Sequence, residues 1–242
     1  MKKLTACVAL LLGVATTASA HQIWIEQPEG QGAVVRFGEF GENLREASPG
    51  MLDKFGKPTG TLVSAAGEKA GIAEKVAGGF RLPFKAGQGD SIVAEVAAYP
   101  LYTWTQGDKS TTNWFHPAAR LITGFAGQKP RLALDLVPTG TVGSFTLYFK
   151  GKPRAKTKVA LVTQSGWAKE RTTDENGQVA FDMPWKGLYV AEVSVNERTA
   201  GERTGPAGAE KYDGVSYVTT LSYVKPDGIE PIPAGPAAAP NK

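Results

Sequence analysis

Past residue 20 the apolar residues of this chain come in short runs of period two, separated by glycine and proline. A side chain on alternate positions has one use: it lines one face of a half-buried strand. Residues 21–26 alternate in this way, and residues 33–40 follow them after a Pro-Glu-Gly turn, so the two predict a hairpin. Further strands are predicted at 61–63, 79–82 and 91–96. In the second half they are predicted at 132–138, 144–149, 157–163, 179–181, 187–193 and 216–223, with an Asn176-Gly177 turn signal ahead of the fourth. One helical turn is expected around Asn43-Leu44-Arg45-Glu46, continuing through 51–55. Gly and Pro supply 29 and 16 of the 242 residues without any triplet period, which excludes collagen and favours turn-rich β structure. The expectation is an all-β protein of two β-sandwich domains, immunoglobulin-like or transthyretin-like. The boundary is placed in 124–130, giving an N-terminal β domain at 21–127 and a C-terminal sandwich at 128–225. The Pro- and Ala-rich segment 226–242 is expected to be a disordered tail.

The first twenty residues read differently. Lys2 and Lys3, the apolar stretch 4–14 and Ala18-Ser19-Ala20 have the order of a secretory signal peptide cleaved after Ala20. The apolar run is shorter than the roughly 20 residues a membrane-spanning helix needs. Export to the periplasm is therefore expected. Cleavage removes Lys2 and Lys3, lowering the formal charge from +4 to +2, and removes Cys7, the single cysteine. The mature chain then has neither a disulfide nor a thiolate ligand. So small and dispersed a basic excess is a poor match to nucleic acid. No phosphate-binding loop, dinucleotide fingerprint or Gly-x-Ser-x-Gly elbow occurs.

Cleavage after Ala20 makes His21 the first residue. Its α-amine and imidazole have ordinary pKa values of about 8 and about 6.5, so both give up protons readily to a metal. The amine and Nδ1 of one residue close a six-membered chelate ring, and a third nitrogen would suit Cu(II) or Ni(II). The chain has two histidines, so that third nitrogen falls to His116. Glu39, on the strand predicted to pair with 21–26, and Glu26 are candidate oxygen ligands.

The opening His21-Gln22-Ile23-Trp24-Ile25-Glu26 behind a signal peptide resembles the start of a large family of exported bacterial proteins associated with nickel and cobalt uptake, the NikM-like periplasmic proteins. The run 37–50, Gly-Glu-Phe-Gly-Glu-Asn-Leu-Arg-Glu at its centre, resembles a subgroup signature. Gly151-Lys152-Pro153, Asp174-Glu175-Asn176-Gly177 and Gly187-Leu188-Tyr189-Val190 are similar to the family's C-terminal β-sandwich. The resemblance implies one bound transition metal ion, Cu or Ni ahead of Co or Fe. It also implies a membrane-bound or outer-membrane uptake component as partner. The His-rich stretches of dedicated metal-uptake proteins are missing, which points to a single site. Two alternatives stand beside this reading: a β-sandwich adaptor for an envelope protein or glycan, and an oxidative copper enzyme built on the same ligands.

Overall fold

The computed structural model describes residues 21–205 and 208–241, so the expected signal peptide lies outside the described residues. The chain is all-β. The first half holds β1 (Gln22–Glu26), β2 (Val34–Glu39), β3 (Leu44–Arg45), β4 (Thr59–Ser64) and β5 (Gly67–Ile72). It continues through β6 (Glu74–Val76), β7 (Gly79–Arg81), β8 (Ser91–Glu95), β9 (Tyr102–Gln106) and β10 (Lys109–Ile122). The second half holds β11 (Leu134–Pro138), β12 (Ser144–Phe149), β13 (Lys152–Pro153), β14 (Lys158–Thr163) and β15 (Ala168–Thr172). It ends with β16 (Gln178–Ala180), β17 (Gly187–Glu197), β18 (Gly201–Gly205), β19 (Gly208–Tyr212) and β20 (Gly214–Lys225).

A nine-stranded sheet runs through both halves in the order β15-β14-β17-β20-β10-β8-β4-β5, with β9 paired to β10. The join is a parallel pairing of β10 with β20 over ten residues, from Asn113↔Gly214 to Ile122↔Tyr223. Each half adds a smaller sheet: β1-β2-β7-β6 with β3 in the first, β11-β12-β13 with β16 in the second. The two small sheets cover opposite faces of the large one. Ala119 and Leu121 of β10 pack with Ile23, Ile25, Val35 and Phe80, whereas Ile122 packs with Leu136, Phe145 and Leu221. This is the alternation a strand imposes, used here to serve two cores from one sheet.

β1 is the edge strand of its sheet and lies across β20. Its exposed backbone would carry unpaired polar groups into the interior, which costs about 1–3 kcal/mol per group. Two hydroxyls in the middle of β20 remove that cost. Thr220 Oγ1 donates to the Ile23 carbonyl at 2.7 Å, and the Ile25 amide donates to Ser222 Oγ at 3.3 Å. On its other face, Trp24 packs with Phe40, Val162 and Val190.

Two expectations are corrected. Residues 43–46 do not form a helical turn: Leu44–Arg45 pairs with β2 through Gly38↔Arg45 and Glu39↔Leu44, and only Met51–Lys54 is helical, as a 3-10 turn. Gly38 permits this pairing, because at its φ of 145° an added Cβ would collide with the Leu44 carbonyl. Nor are the described residues of the expected tail, 226–241, detached from the fold. Ile229 exchanges backbone bonds with the 184–186 segment, and the Ala238 amide donates to the Asn43 carbonyl at 3.2 Å.

Candidate metal centre

The β1–β2 register sets Gln22 against Gly38, and one step further along places His21 beside Glu39. The Nδ1 of His21 lies 3.2 Å from Glu39 Oε1, and Nε2 lies 2.5 Å from Glu46 Oε1. Glu46 follows β3, so the Gly38 approach brings this carboxylate to the ring. The Glu46 side chain is fully buried, while His21 keeps 25% of its side-chain surface exposed. The ring leans on Phe37 at a centroid distance of 5.0 Å. The ring thus has a carboxylate within reach of each of its nitrogens.

The C-terminal segment completes the enclosure. Asn241 donates its amide to Glu46 Oε2 at 2.9 Å and its side-chain amide to Glu46 Oε1 at 2.6 Å. A third carboxylate stands close by on β17. Glu192 accepts from Gln22 Nε2 at 2.5 Å. Burial pushes its carboxyl up to about 7, the Gln22 bond pulls against that rise, and the charge of Glu39 adds to it.

The other sequence candidates fall elsewhere. Successive residues of a strand point to opposite faces. Phe115 sits on the aromatic row Phe37–Tyr99–Phe115 that leads to His21. His116 therefore turns to the other face of the sheet. There it stacks on Trp114 at 4.7 Å, meets Tyr217 edge-on at 5.5 Å, and approaches Glu95 at 3.3 Å. The structure does not bring His116 to His21. Glu26 is also removed from it, committed to Arg36 at 2.9 Å, Arg45 at 2.8 Å and the Trp24 indole at 2.9 Å. Burial would raise the Glu26 carboxyl, but Arg45, Trp24 and Arg36 outweigh it and hold it below its usual range. Among the described residues no three His, Asp or Glu side chains converge as a ready-made metal cage. His21 and Glu39 are the candidates that meet; the α-amine of a processed chain would be a further donor supplied by His21 itself.

Sequence reasoning missed Glu46, Glu192 and Asn241. The first lay in a segment read as a helical turn, the second is one of many strand acids, and the third sits in a segment read as tail.

No protein-family model matches the chain, and no curated protein matches it. Among solved structures it is similar to a two-domain fibronectin type III segment of chicken tenascin, at 10% identity. That match covers 81% of this chain and 96% of the other, with a TM-score of 0.20. So slight a likeness has no bearing on function.

Proposed function

We propose that this is an exported metal-binding protein that holds one Cu or Ni ion at its processed N-terminus and serves metal uptake or homeostasis in the periplasm. The observation that carries the reading is the split of the His21 ring between two acids. Buried Glu46 takes the Nε2 side, as the carboxylate behind a metal-bound histidine does, fixing ring orientation and raising basicity. That leaves Nδ1, on the side of Glu39, for the ion. The α-amine and Nδ1 of His21 would form the chelate, and Glu39 would add an oxygen. The ion is cargo. The residues bind it and release it by ligand exchange, and Irving–Williams ordering makes Cu(II) the tightest choice for such donors.

The test is calorimetric titration of metal-free protein beginning at His21 with Cu(II) and with Ni(II), beside a form carrying one extra N-terminal residue. One tight equivalent is expected in the first form and loss of it in the second. Glu39→Gln is expected to weaken binding, and Glu46→Gln by about 10- to 100-fold. His116→Ala is expected to leave it unchanged. Equal binding by the two N-terminal forms would refute the chelate.

A further inference from the structure

The β9–β10 hairpin projects as a two-residue turn, Gly107-Asp108, closed by the pair Gln106↔Lys109. Gly107 holds a φ of 59°, as such turns require of their first residue. The two faces of this hairpin differ. One carries a ladder of cross-strand hydroxyl pairs, Thr103–Thr112 at 3.3 Å and Thr105–Ser110 at 2.9 Å. The other presents Tyr102 and Trp104, which are 44% and 67% exposed. Large rings are normally spent on burial, and two in sequence on one rigid face mark a contact surface.

These rings form one wall of a groove of about 650 Å³, whose lining includes Lys109, Asn113, Asn196 and Arg198. That volume is in the range of small-molecule and oligomer sites. Its floor is fixed by Asp213, whose carboxylate accepts from the Thr112 amide at 2.7 Å and whose amide donates to the Thr112 carbonyl at 2.7 Å. Glu197 is satisfied by Lys150 at 2.7 Å. Lys109 and Arg198, by contrast, have no ion-pair partner among the described residues. The groove thus offers flat aromatic faces, side-chain amides and, among the described residues, two unpaired cations, Lys109 and Arg198, against the one unpaired carboxylate of Asp213, a net positive lining.

We propose that this groove binds an acidic oligosaccharide, a chain of uronic-acid sugars. The apolar faces of the pyranose rings would stack on Trp104 and Tyr102. Asn113 and Asn196 would hydrogen-bond ring hydroxyls, and Lys109 and Arg198 would take the carboxylates. The charge complement separates an acidic sugar chain from a neutral one, and the amide-lined floor separates it from a purely apolar partner. The lining shares no residue with the His21 cluster, and the binding proposed needs no metal.

The experiment is calorimetric titration of the metal-free chain with a hexa-galacturonate, a neutral glucan of equal length and an oligothymidylate. Saturable binding of the galacturonate is expected, weakening as salt rises. It is expected to fall by about tenfold or more in Trp104→Ala and in the Lys109→Glu/Arg198→Glu pair. Both variants should keep the wild-type circular dichroism and Tm, because all three side chains are exposed. The extra-residue N-terminal form should bind like the native one, which separates this proposal from the metal reading. No binding of galacturonate, equal binding of the glucan, binding of the oligothymidylate instead, or full affinity in Trp104→Ala would each overturn it.

Discussion

Glu192 is a half-buried carboxylate whose one side-chain hydrogen-bond partner among the described residues is the neutral Gln22 amide. Its folded-state carboxyl sits near 7 against an ordinary 4.5, so the folded chain binds this proton more tightly than the unfolded one. The stability it contributes is full below about 4.5 and is lost as pH rises through about 7. Denaturant unfolding of the wild type should therefore show a decline over that window. In Glu192→Gln the decline should be absent, leaving the variant more stable at pH 8 by up to about 3 kcal/mol. Parallel curves would show that Glu192 ionises freely in the folded chain. At this scale the sequence was partly legible. The hairpin pattern put Glu39 beside His21, because register follows from period-two alternation. It offered Glu46 only as an ion-pair partner for Arg45 and did not single out Glu192, because which acid faces the site depends on residues 25 and 170 positions away along the chain.

Among the elements, β1 is the one whose placement decides the site, and its placement depends on Thr220 and Ser222. Thr220→Val keeps the shape and removes the donor to the Ile23 carbonyl. The expected cost is about 1–3 kcal/mol, with a further loss of hydrogen-exchange protection concentrated in 22–26. A cost spread evenly over the molecule would argue against the edge-strand account. Most strands were legible from alternation and turn residues: Ser144–Phe149 is found at the predicted bounds, and β17 and β20 lengthen their predicted cores. Residues 43–46 misread as helix because Asn-Leu-Arg-Glu has helical propensity and no alternation. The close backbone approach at Gly38 overrides that propensity. The C-terminal residues misread because proline and alanine composition signals disorder, while their anchoring depends on acceptors elsewhere, the Asn43 carbonyl and Glu46.

Over the whole molecule, the halves are two sandwiches fused through one sheet. The boundary at 124–130 is a change of small sheet rather than a break between independent units. β10 belongs to the first half and pairs along ten residues with β20 of the second. The fragment 21–127 should accordingly fail to fold, showing no cooperative thermal transition, since it exposes one edge of β10 and the side chains that reach the second core. A sharp transition in that fragment would contradict the shared-sheet account. A second tie crosses the same junction. Arg120 of β10 grips Asp135 of β11 through Nε at 2.9 Å and Nη2 at 2.5 Å, both side chains essentially fully buried. Asp135 also accepts from the Arg131 amide at 2.7 Å. Asp135→Ala should strand the guanidinium and cost about 3–5 kcal/mol, read as a lower denaturation midpoint. Parallel pairing of strands nearly a hundred residues apart leaves no local trace, which is why the all-β class was legible and the fusion was not.

The central claim is that the processed N-terminus is the metal ligand, with Nδ1 of His21 and not His116 beside it. The most direct measurement is the Cu(II) EPR spectrum of protein beginning at His21, compared with the same protein extended by one residue and with His116→Ala. The account predicts a one-equivalent signal with hyperfine structure from two nitrogens, unchanged in His116→Ala and replaced by a weak, loosely bound signal in the extended form. An identical spectrum in the extended form, or loss of the signal in His116→Ala, would contradict it.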